Sequence, residues 1–362
     1  MHIQELDTPA LLVDRSRLER NIRAMMDLAV QNGKKLRPHI KTHKCVEIMK
    51  LQLAAGADGI TAAKVSEAEV MVNGGAQDVF IANQVIGDFK AERLAQLARR
   101  AVISAAVDTR FGVTFAARAA RKMNVSLALM IEVDTGLGRA GVRSVDEAVS
   151  LARAIIDEPG VTVGGVFTHE GHLYRAMNDG QRERAAAAVA ETMRRAGDAV
   201  AAEVGRAVTV SVGSTPGANL MALQAGITEM RPGVYVLGDR MQCSLGRAES
   251  DCALSVLSTV TSVTSDGKFV IDAGIKTLAS DRPFEDGTYG SILGNKQWQF
   301  IQASEEHGVV MHHGDSVPAP GDRIRIVPNH ACTCVNMHNF IYLVDGERVL
   351  ERWSVDARGC IN

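Results

Sequence analysis

The chain has 362 residues, 46% of them hydrophobic and 23% charged, so it can bury a sizeable core and is not a disordered protein. Forty Lys and Arg stand against 42 Asp and Glu, and the net charge of −2 excludes the basic footprint of a dedicated nucleic-acid binder. No apolar run approaches the roughly 20 residues that span a bilayer. The opening Met1-His2-Ile3-Gln4-Glu5 has no secretory pattern, and six cysteines in a leaderless chain read as reduced thiols or metal ligands, so a soluble cytoplasmic protein is expected.

Strand-like runs fall at 36–41, 59–63, 78–83, 102–108, 126–133, 162–170, 207–213 and 229–237, with amphipathic stretches between them. Leu18, Ile22, Met25, Met26 and Ala29 share one helical face ahead of the first run. Ser66-Glu67-Ala68-Glu69 and Ser144-Val145-Asp146-Glu147 have capping-box spacing. Residues 181–204 form an alanine-rich helix, with a break expected at Gly197. Eight runs with intervening helices in about 240 residues is the count of a (β/α)8 TIM barrel, with an open doubly wound sheet as the alternative. Beyond residue 250 the runs at 254–265, 268–273, 323–327 and 340–344 are separated by turns and no long helix. The expected organisation is therefore an α/β barrel over 1–245 and a C-terminal β-rich domain over 246–362. The run at 9–14 is free to join either.

Barrel active sites lie where the strands end, so the polar residues after each run should form one constellation. The first run closes in Arg37-Pro38-His39-Ile40-Lys41-Thr42-His43-Lys44. A desolvated lysine is a nucleophilic amine, although most lysines simply begin a solvated helix. The third run ends at Asn83-Gln84. The fifth leads into Asp134-Thr135-Gly136-Leu137-Gly138-Arg139-Ala140-Gly141, a tight polar loop. The sixth ends in Thr168-His169-Glu170-Gly171-His172-Leu173-Tyr174, whose histidines are acid–base groups, ligands or structural residues. The seventh ends in Gly213-Ser214-Thr215-Pro216-Gly217, which offers backbone amides and hydroxyls to a phosphate. The eighth contains Arg231-Pro232-Gly233-Val234-Tyr235. A lysine amine with a phosphate cradle on a barrel points to pyridoxal phosphate held as a Schiff base, and a lysine-dependent sugar-phosphate aldolase shares those features. In the β-rich part, His330 and Cys332 stand two apart and on a strand would share one face. Imidazole with thiolate favours zinc, ahead of manganese or magnesium. His338, a barrel-end residue, water or substrate would complete the sphere, and a buried thiol beside a hydrogen-bonded histidine is the structural alternative.

The motif at 37–44 resembles the lysine motif of the D-serine dehydratase and D-threonine aldolase family, fold-type III pyridoxal phosphate enzymes related to alanine racemase. Asp7-Thr8-Pro9, Asp134-Thr135-Gly136 with Arg139 and Gly141, Gly213 to Pro216, Arg231-Pro232-Gly233 with Tyr235, Asp272-Ala273-Gly274 with Lys276, Glu305-Glu306-His307-Gly308, and Pro328-Asn329-His330 extend the resemblance along nearly the whole chain. It implies an alanine-racemase-like barrel with a β-domain, acting as a homodimer. It implies that Lys41 carries the cofactor and that Arg139 contacts the phenolic oxygen of its ring. Gly213, Ser214 and Thr215 would hold the phosphate, with Gln84, Tyr174, Gly233 and Tyr235 nearby, and His330 and Cys332 would bind the metal.

The activity this implies is a lyase for D-configured 3-hydroxy amino acids. Aldolase members place a carboxylate two residues after the metal histidine. This chain has Cys332 there, as the zinc-dependent dehydratase members do, so dehydration to a 2-oxo acid and ammonia is favoured over retro-aldol cleavage to glycine and an aldehyde. Lys41, His169, His172 and Tyr174 are the candidate catalytic groups, and the loop at 169–174 departs from the aldolase pattern. A racemase and a non-catalytic pyridoxal phosphate carrier are the remaining alternatives. Neither of them needs the metal pair.

Overall fold

A computed structural model describes residues 1–175, 178–281, 287–314 and 317–362. The chain forms two compact units: Ala24–Lys41, Met49–Gly233 and Cys360–Asn362 in one, and Met1–Arg23, Thr42–Ile48 and Val234–Gly359 in the other. The sequence places the change of rhythm at 245/246, whereas the compact units divide at 233/234 and the N-terminal run joins the β-rich unit. No helix among the described residues is long and apolar enough to cross a membrane.

In chain order, β1 is Ala10–Asp14, β2 Lys35–Leu36, β3 Ile60–Ala62, β4 Asp78–Gln84, β5 Val102–Val107, β6 Leu127–Glu132, β7 Val161–Phe167, β8 Thr209–Val212 and β9 Glu229–Met230. Strands β2 to β9 make one parallel sheet in the order β2-β9-β8-β7-β6-β5-β4-β3. Its two edges meet through a parallel bridge between His39 and Thr61, with the Thr61 amide donating to the Pro38 carbonyl at 2.8 Å. This is the eight-stranded barrel that the run count predicts. Its strands are short apolar stretches because parallel strands wrapped by helices are buried on both faces. Phe80, Ala106, Met130 and Phe167 fill the interior, the two phenyl rings packing edge to face with centroids 5.0 Å apart. Arg37 links three strands: Nε donates to Glu229 at 2.8 Å and Nη1 to Asp78 at 2.7 Å.

Helix Val145–Ile156 starts at Ser144, whose hydroxyl accepts from the Glu147 amide at 3.1 Å. The parallel expectation at Ser66 is corrected. That helix spans Val65–Asn73 with Lys64 as its cap residue, and Ser66 lies inside it, its hydroxyl donating to the Asn362 carbonyl. Helix Asp179–Val204 is unbroken at Gly197. A Cβ there would sit 2.5 Å from Val210 Cγ2, so glycine lets the helix lie against β8 and does not interrupt it.

The β-rich unit continues with β10 (Leu254–Val263), β11 (Lys268–Ile271), β12 (Gly290–Ile292), β13 (Trp298–Ala303), β14 (Gly308–His312), β15 (Arg323–Pro328), β16 (Phe340–Asp345) and β17 (Arg348–Ser354). With β1 they form a nine-stranded sheet ordered β11-β14-β13-β12-β15-β10-β1-β16-β17, in which β11 also pairs with β10. Only β1–β16 among the pairings is parallel. The sequence reading misses β12, β13, β14 and β17. The first is three residues long, and β17 is a charged edge strand without clean alternation. One expectation about the metal pair is also corrected. His330 and Cys332 are not on a strand: His330 is the N-cap residue of helix Ala331–Met337, and Cys332 lies in its first turn.

Candidate active site

The first barrel strand stops at Leu36, and Lys41 sits in a 3-10 turn over Ile40–Thr42 instead of closing a strand. The turn is set from behind. His39 is buried, its amide donates to the Pro232 carbonyl at 3.0 Å, and its Nδ1 lies 3.4 Å from the Lys41 amide. Lys41 itself is half-buried. Among the described residues its ammonium makes no hydrogen bond or ion pair.

His169 and Glu170, at the end of β7, grip one residue of the seventh loop from both sides. His169 Nδ1 lies 2.5 Å from the Gly213 carbonyl, which makes it the protonated nitrogen, and the Gly213 amide donates to Glu170 Oε2 at 2.9 Å. The other oxygen of Glu170 is buried without a hydrogen-bond partner. Burial first, and then the Lys41 ammonium, push His169 down to about 4. Burial, followed by Lys41, Arg231 and His169, pushes His39 well below its ordinary value. Both rings are therefore neutral near pH 7.

Arg231 is the buried cation of this group. Nε donates to Ser211 Oγ at 2.8 Å, Nη2 donates to the Thr168 carbonyl at 2.5 Å, and the guanidinium lies 5.4 and 5.1 Å from the ring centroids of Phe80 and Phe167. Desolvation lowers its pKa, opposed by Glu229, Glu170 and Glu132. A Cβ on Gly213 would come within 3.0 Å of Arg231 Nη1 and Cβ, so glycine is required for this loop to pack over the arginine.

The Gly213-Ser214-Thr215 turn has half of the expected cradle geometry. The Gly213 amide is taken by Glu170, whereas the Ser214 amide has no partner among the described residues. Ser214 Oγ accepts from the Gly217 amide at 3.2 Å, and a Cβ on Gly217 would fall 2.8 Å from Ser214 Oγ and from Leu173 Cδ1. On the other side of the barrel end, Gln84 Nε2 donates to Glu132, which also accepts from Arg139 Nη2 at 3.3 Å. Asp134 folds the adjoining loop by accepting the amides of Gly136 and Gly138, both at 3.0 Å. Those backbone donors outweigh burial and hold its carboxyl below the usual range. Arg139 is thus aimed by Glu132 from a loop with a fixed shape.

His172 Nδ1 is buried without a hydrogen-bond partner, and its ring packs beside Gly136. Tyr174 is half-buried in the turn Gly171–Arg175. Gly233 ends the barrel-side unit, and the buried Tyr235 belongs to the β-rich unit, where its carbonyl accepts from Arg247. The sequence reading quoted Glu170, Glu132, Arg231 and His39 inside motifs without assigning them work. What sets them apart is burial of a charge or an imidazole, which a strand-end position hints at but composition does not show.

In the β-rich unit, Asp239 organises the metal pair. Its carboxylate is fully buried and accepts the amides of Gln242 and Ala331, both at 2.9 Å, and Oδ2 lies 3.9 Å from His330 Nδ1. Cys332 is within hydrogen-bonding reach of the His330 ring, and its Sγ–H donates to Thr42 Oγ1 at 3.3 Å. Burial opposes protonation of His330, but Cys332, Asp239 and Asp281 outweigh it and push the imidazole up to about 9. An imidazole raised by a thiol and two carboxylates marks a place suited to a cation. A soft and a borderline donor suit zinc better than magnesium. Among the described residues no group of three His, Cys, Asp or Glu side chains is arranged around one point. His338 Nε2 is bonded to the Thr277 carbonyl at 2.9 Å.

Residues 13–241 match the alanine racemase N-terminal domain family and residues 253–344 the putative serine dehydratase domain family. The chain is 34% identical to a D-threonine aldolase of Arthrobacter sp, over 99% of this chain and 94% of that protein. It is 36% identical to the D-threo-3-hydroxyaspartate dehydratase of Delftia sp., over 90% of this chain and 91% of the other. The crystal structure of D-threonine aldolase from Filomicrobium marinum superimposes with a TM-score of 0.93 at 33% identity, covering 99% of this chain and 98% of that one. Structures of a D-threo-3-hydroxyaspartate dehydratase include a histidine-to-alanine variant and, two positions later, a cysteine-to-alanine variant in the metal-free form; both are 31% identical to this chain, with TM-scores of 0.88.

Proposed function

The chain belongs to the D-serine dehydratase and D-threonine aldolase family of fold-type III pyridoxal phosphate enzymes, which are lyases, and from that premise we propose that it dehydrates D-configured 3-hydroxy amino acids to a 2-oxo acid and ammonia. The observation that carries the reading is the unpartnered ammonium of Lys41 in a pocket whose other basic groups are two neutral imidazoles and a buried guanidinium. No side chain competes there for Lys41 Nζ, which leaves it open to a carbonyl partner.

The residues fit the cofactor. Lys41 would be the attachment point, Ser214 and Thr215 with the Ser214 amide would hold its phosphate, and Arg139, aimed by Glu132, would serve its ring oxygen. When bound, pyridoxal phosphate supplies an electron sink for negative charge at the substrate Cα. Lys41 Nζ is the group that would take the Cα proton as a free amine. His169 holds the Gly213 loop through Nδ1 and stays neutral, so it adds no charge that would repel the protonated form of Lys41. His330 and Cys332 would hold a divalent metal, zinc by their donor chemistry, which would supply Lewis-acid polarisation of a hydroxyl. Cys332, where aldolases place a carboxylate, supports dehydration over cleavage, and the same His-x-Cys spacing at the two substituted positions of a D-threo-3-hydroxyaspartate dehydratase is consistent with that. The working form proposed, on family resemblance, is a cytoplasmic homodimer.

The second reading is retro-aldol cleavage, favoured by the aldolase relatives at comparable identity. Incubation with D-threonine and 3-hydroxy-D-aspartate, with and without chelator, separates the two. A 2-oxo acid and ammonia in equal amounts support dehydration. Glycine with an aldehyde gives the aldolase instead, and an epimerised substrate with no bond cleaved gives a racemase. Protein lacking an imine absorbance band and unchanged by borohydride would refute the cofactor assignment.

A further inference from the structure

We propose that Cys243 and Cys252 form a redox-modification site in the β-rich unit, which closes to a disulfide when the protein meets a low-molecular-weight disulfide. Neither thiol takes part in the chemistry above. Their sulfur atoms lie 3.5 Å apart, and they differ in access: Cys243 is partly exposed at the end of helix Arg240–Ser244, whereas Cys252 is 2% exposed. That is the arrangement of an attacking and a resolving thiol.

The surroundings favour a thiolate at Cys243. Arg247 donates through Nη1 to the Tyr235 carbonyl and through Nη2 to the Asp251 carbonyl, both at 2.8 Å, which leaves its Nε buried with no hydrogen-bond partner. The same point is close to both the cation and the pair, because a Cβ on Gly238 would lie 3.1 Å from Arg247 Nε and 3.0 Å from Cys252 Sγ. The hydrogen bond from Cys252 lowers the Cys243 pKa against burial, Glu249 and Asp239, and the same contact with burial raises Cys252. An anionic sulfur at 243 is what this guanidinium lacks.

The reaction balances. The Cys243 thiolate attacks one sulfur of the oxidant, whose S–S bond breaks and releases one thiol. Cys252 then loses its proton and attacks the Cys243 sulfur, expelling the second thiol. Two protein thiols give up two electrons and two protons, and one small disulfide becomes two thiols. Closure also removes the Cys252 S–H from the Asp239 carbonyl, which it meets at 3.8 Å. Asp239 caps the helix that carries Cys243 and holds the Ala331 amide beside His330.

The test uses the holoenzyme and oxidised glutathione at graded ratios, read by intact mass and peptide mapping. Two of the six thiols should disappear first, with the mass of two hydrogens, and a cross-linked peptide pair should join the segments on either side of Arg247. C252S should retain one glutathione on Cys243, C243S should leave Cys252 unmodified, and R247Q should slow the first step roughly tenfold. Melting of each variant, followed by circular dichroism, establishes that it is folded, and C243A stands in for C243S if that variant fails. Mixed disulfides at Cys332 or Cys360 while the pair stays reduced, or oxidation of Cys252 at an unchanged rate without Cys243, would overturn the proposal.

Discussion

The two units build reactive pockets of opposite electrical character. At the barrel end, a bare lysine shares its surroundings with a buried arginine and two histidines kept neutral, and the nearest carboxylates are tied up with Gly213 or with Gln84 and Arg139. In the β-rich unit, a histidine is pushed toward its charged form by a thiol and two carboxylates. The first arrangement leaves an ammonium unpaired, and the second sets an imidazole among acidic groups. Each follows from a general rule: a charge taken out of water is expensive until a counter-charge arrives, so a pocket left unbalanced is an affinity for the missing partner. The barrel suits a phosphorylated carbonyl compound and the β-rich unit suits a metal ion.

If that contrast is right, the two affinities are separable by mutation. Lys41→Ala should abolish the imine absorbance and lower turnover by roughly 10³-fold or more, while zinc content by atomic absorption stays at wild-type stoichiometry. Loss of metal together with the cofactor would break the contrast. Cys332→Ala should do the reverse, weakening metal affinity by at least roughly 100-fold while the absorbance band persists. The acid-range change that depends on His169 should report on the barrel. Folded His169 has a pKa of about 4, against about 6.5 in the unfolded chain, so below 6.5 the unfolded chain binds more protons. The contribution is intact above pH 6.5, falls as pH drops toward 4 and levels off beneath it. His169→Gln should remove about 2 kcal/mol of the loss between pH 7 and 5, measured by urea unfolding. The smallest effect expected is for Ser144→Ala, which deletes a barrel-side helix cap outside both pockets and should cost about 1 kcal/mol with neither ligand affinity changed.

The barrel was readable because its strands are apolar runs bounded by caps and glycines, and residue spacing carries that information. The positions of the Gly213 to Gly217 turn and the His169–Glu170 pair were readable for the same reason, as they follow strand ends. Three features were not. Lys41 follows a two-residue strand and a 3-10 turn, since Pro38 and the bridge at His39 end regular pairing earlier than the apolar run suggests. His330 and Cys332 share a helix start, because the buried Asp239 takes the Ala331 amide and ends β15 at Pro328; that acceptor is 92 residues away and outside any local pattern. Gly197 looked like a helix break because glycine is a poor helix former. The side chain it makes room for belongs to a strand that comes later in the chain.

The seam of the barrel has a mechanical consequence. Elsewhere neighbouring strands are laced by ladders, but the cylinder is closed at His39 by one bridge, two residues before the amine on which the chemistry turns. Breathing at this seam would reach first the turn that carries Lys41, the residue proposed to hold the cofactor. Amide protons at 40 and 41 should exchange with deuterium well before those of β5 to β7, and binding of a phosphorylated carbonyl compound should slow that exchange most at the seam.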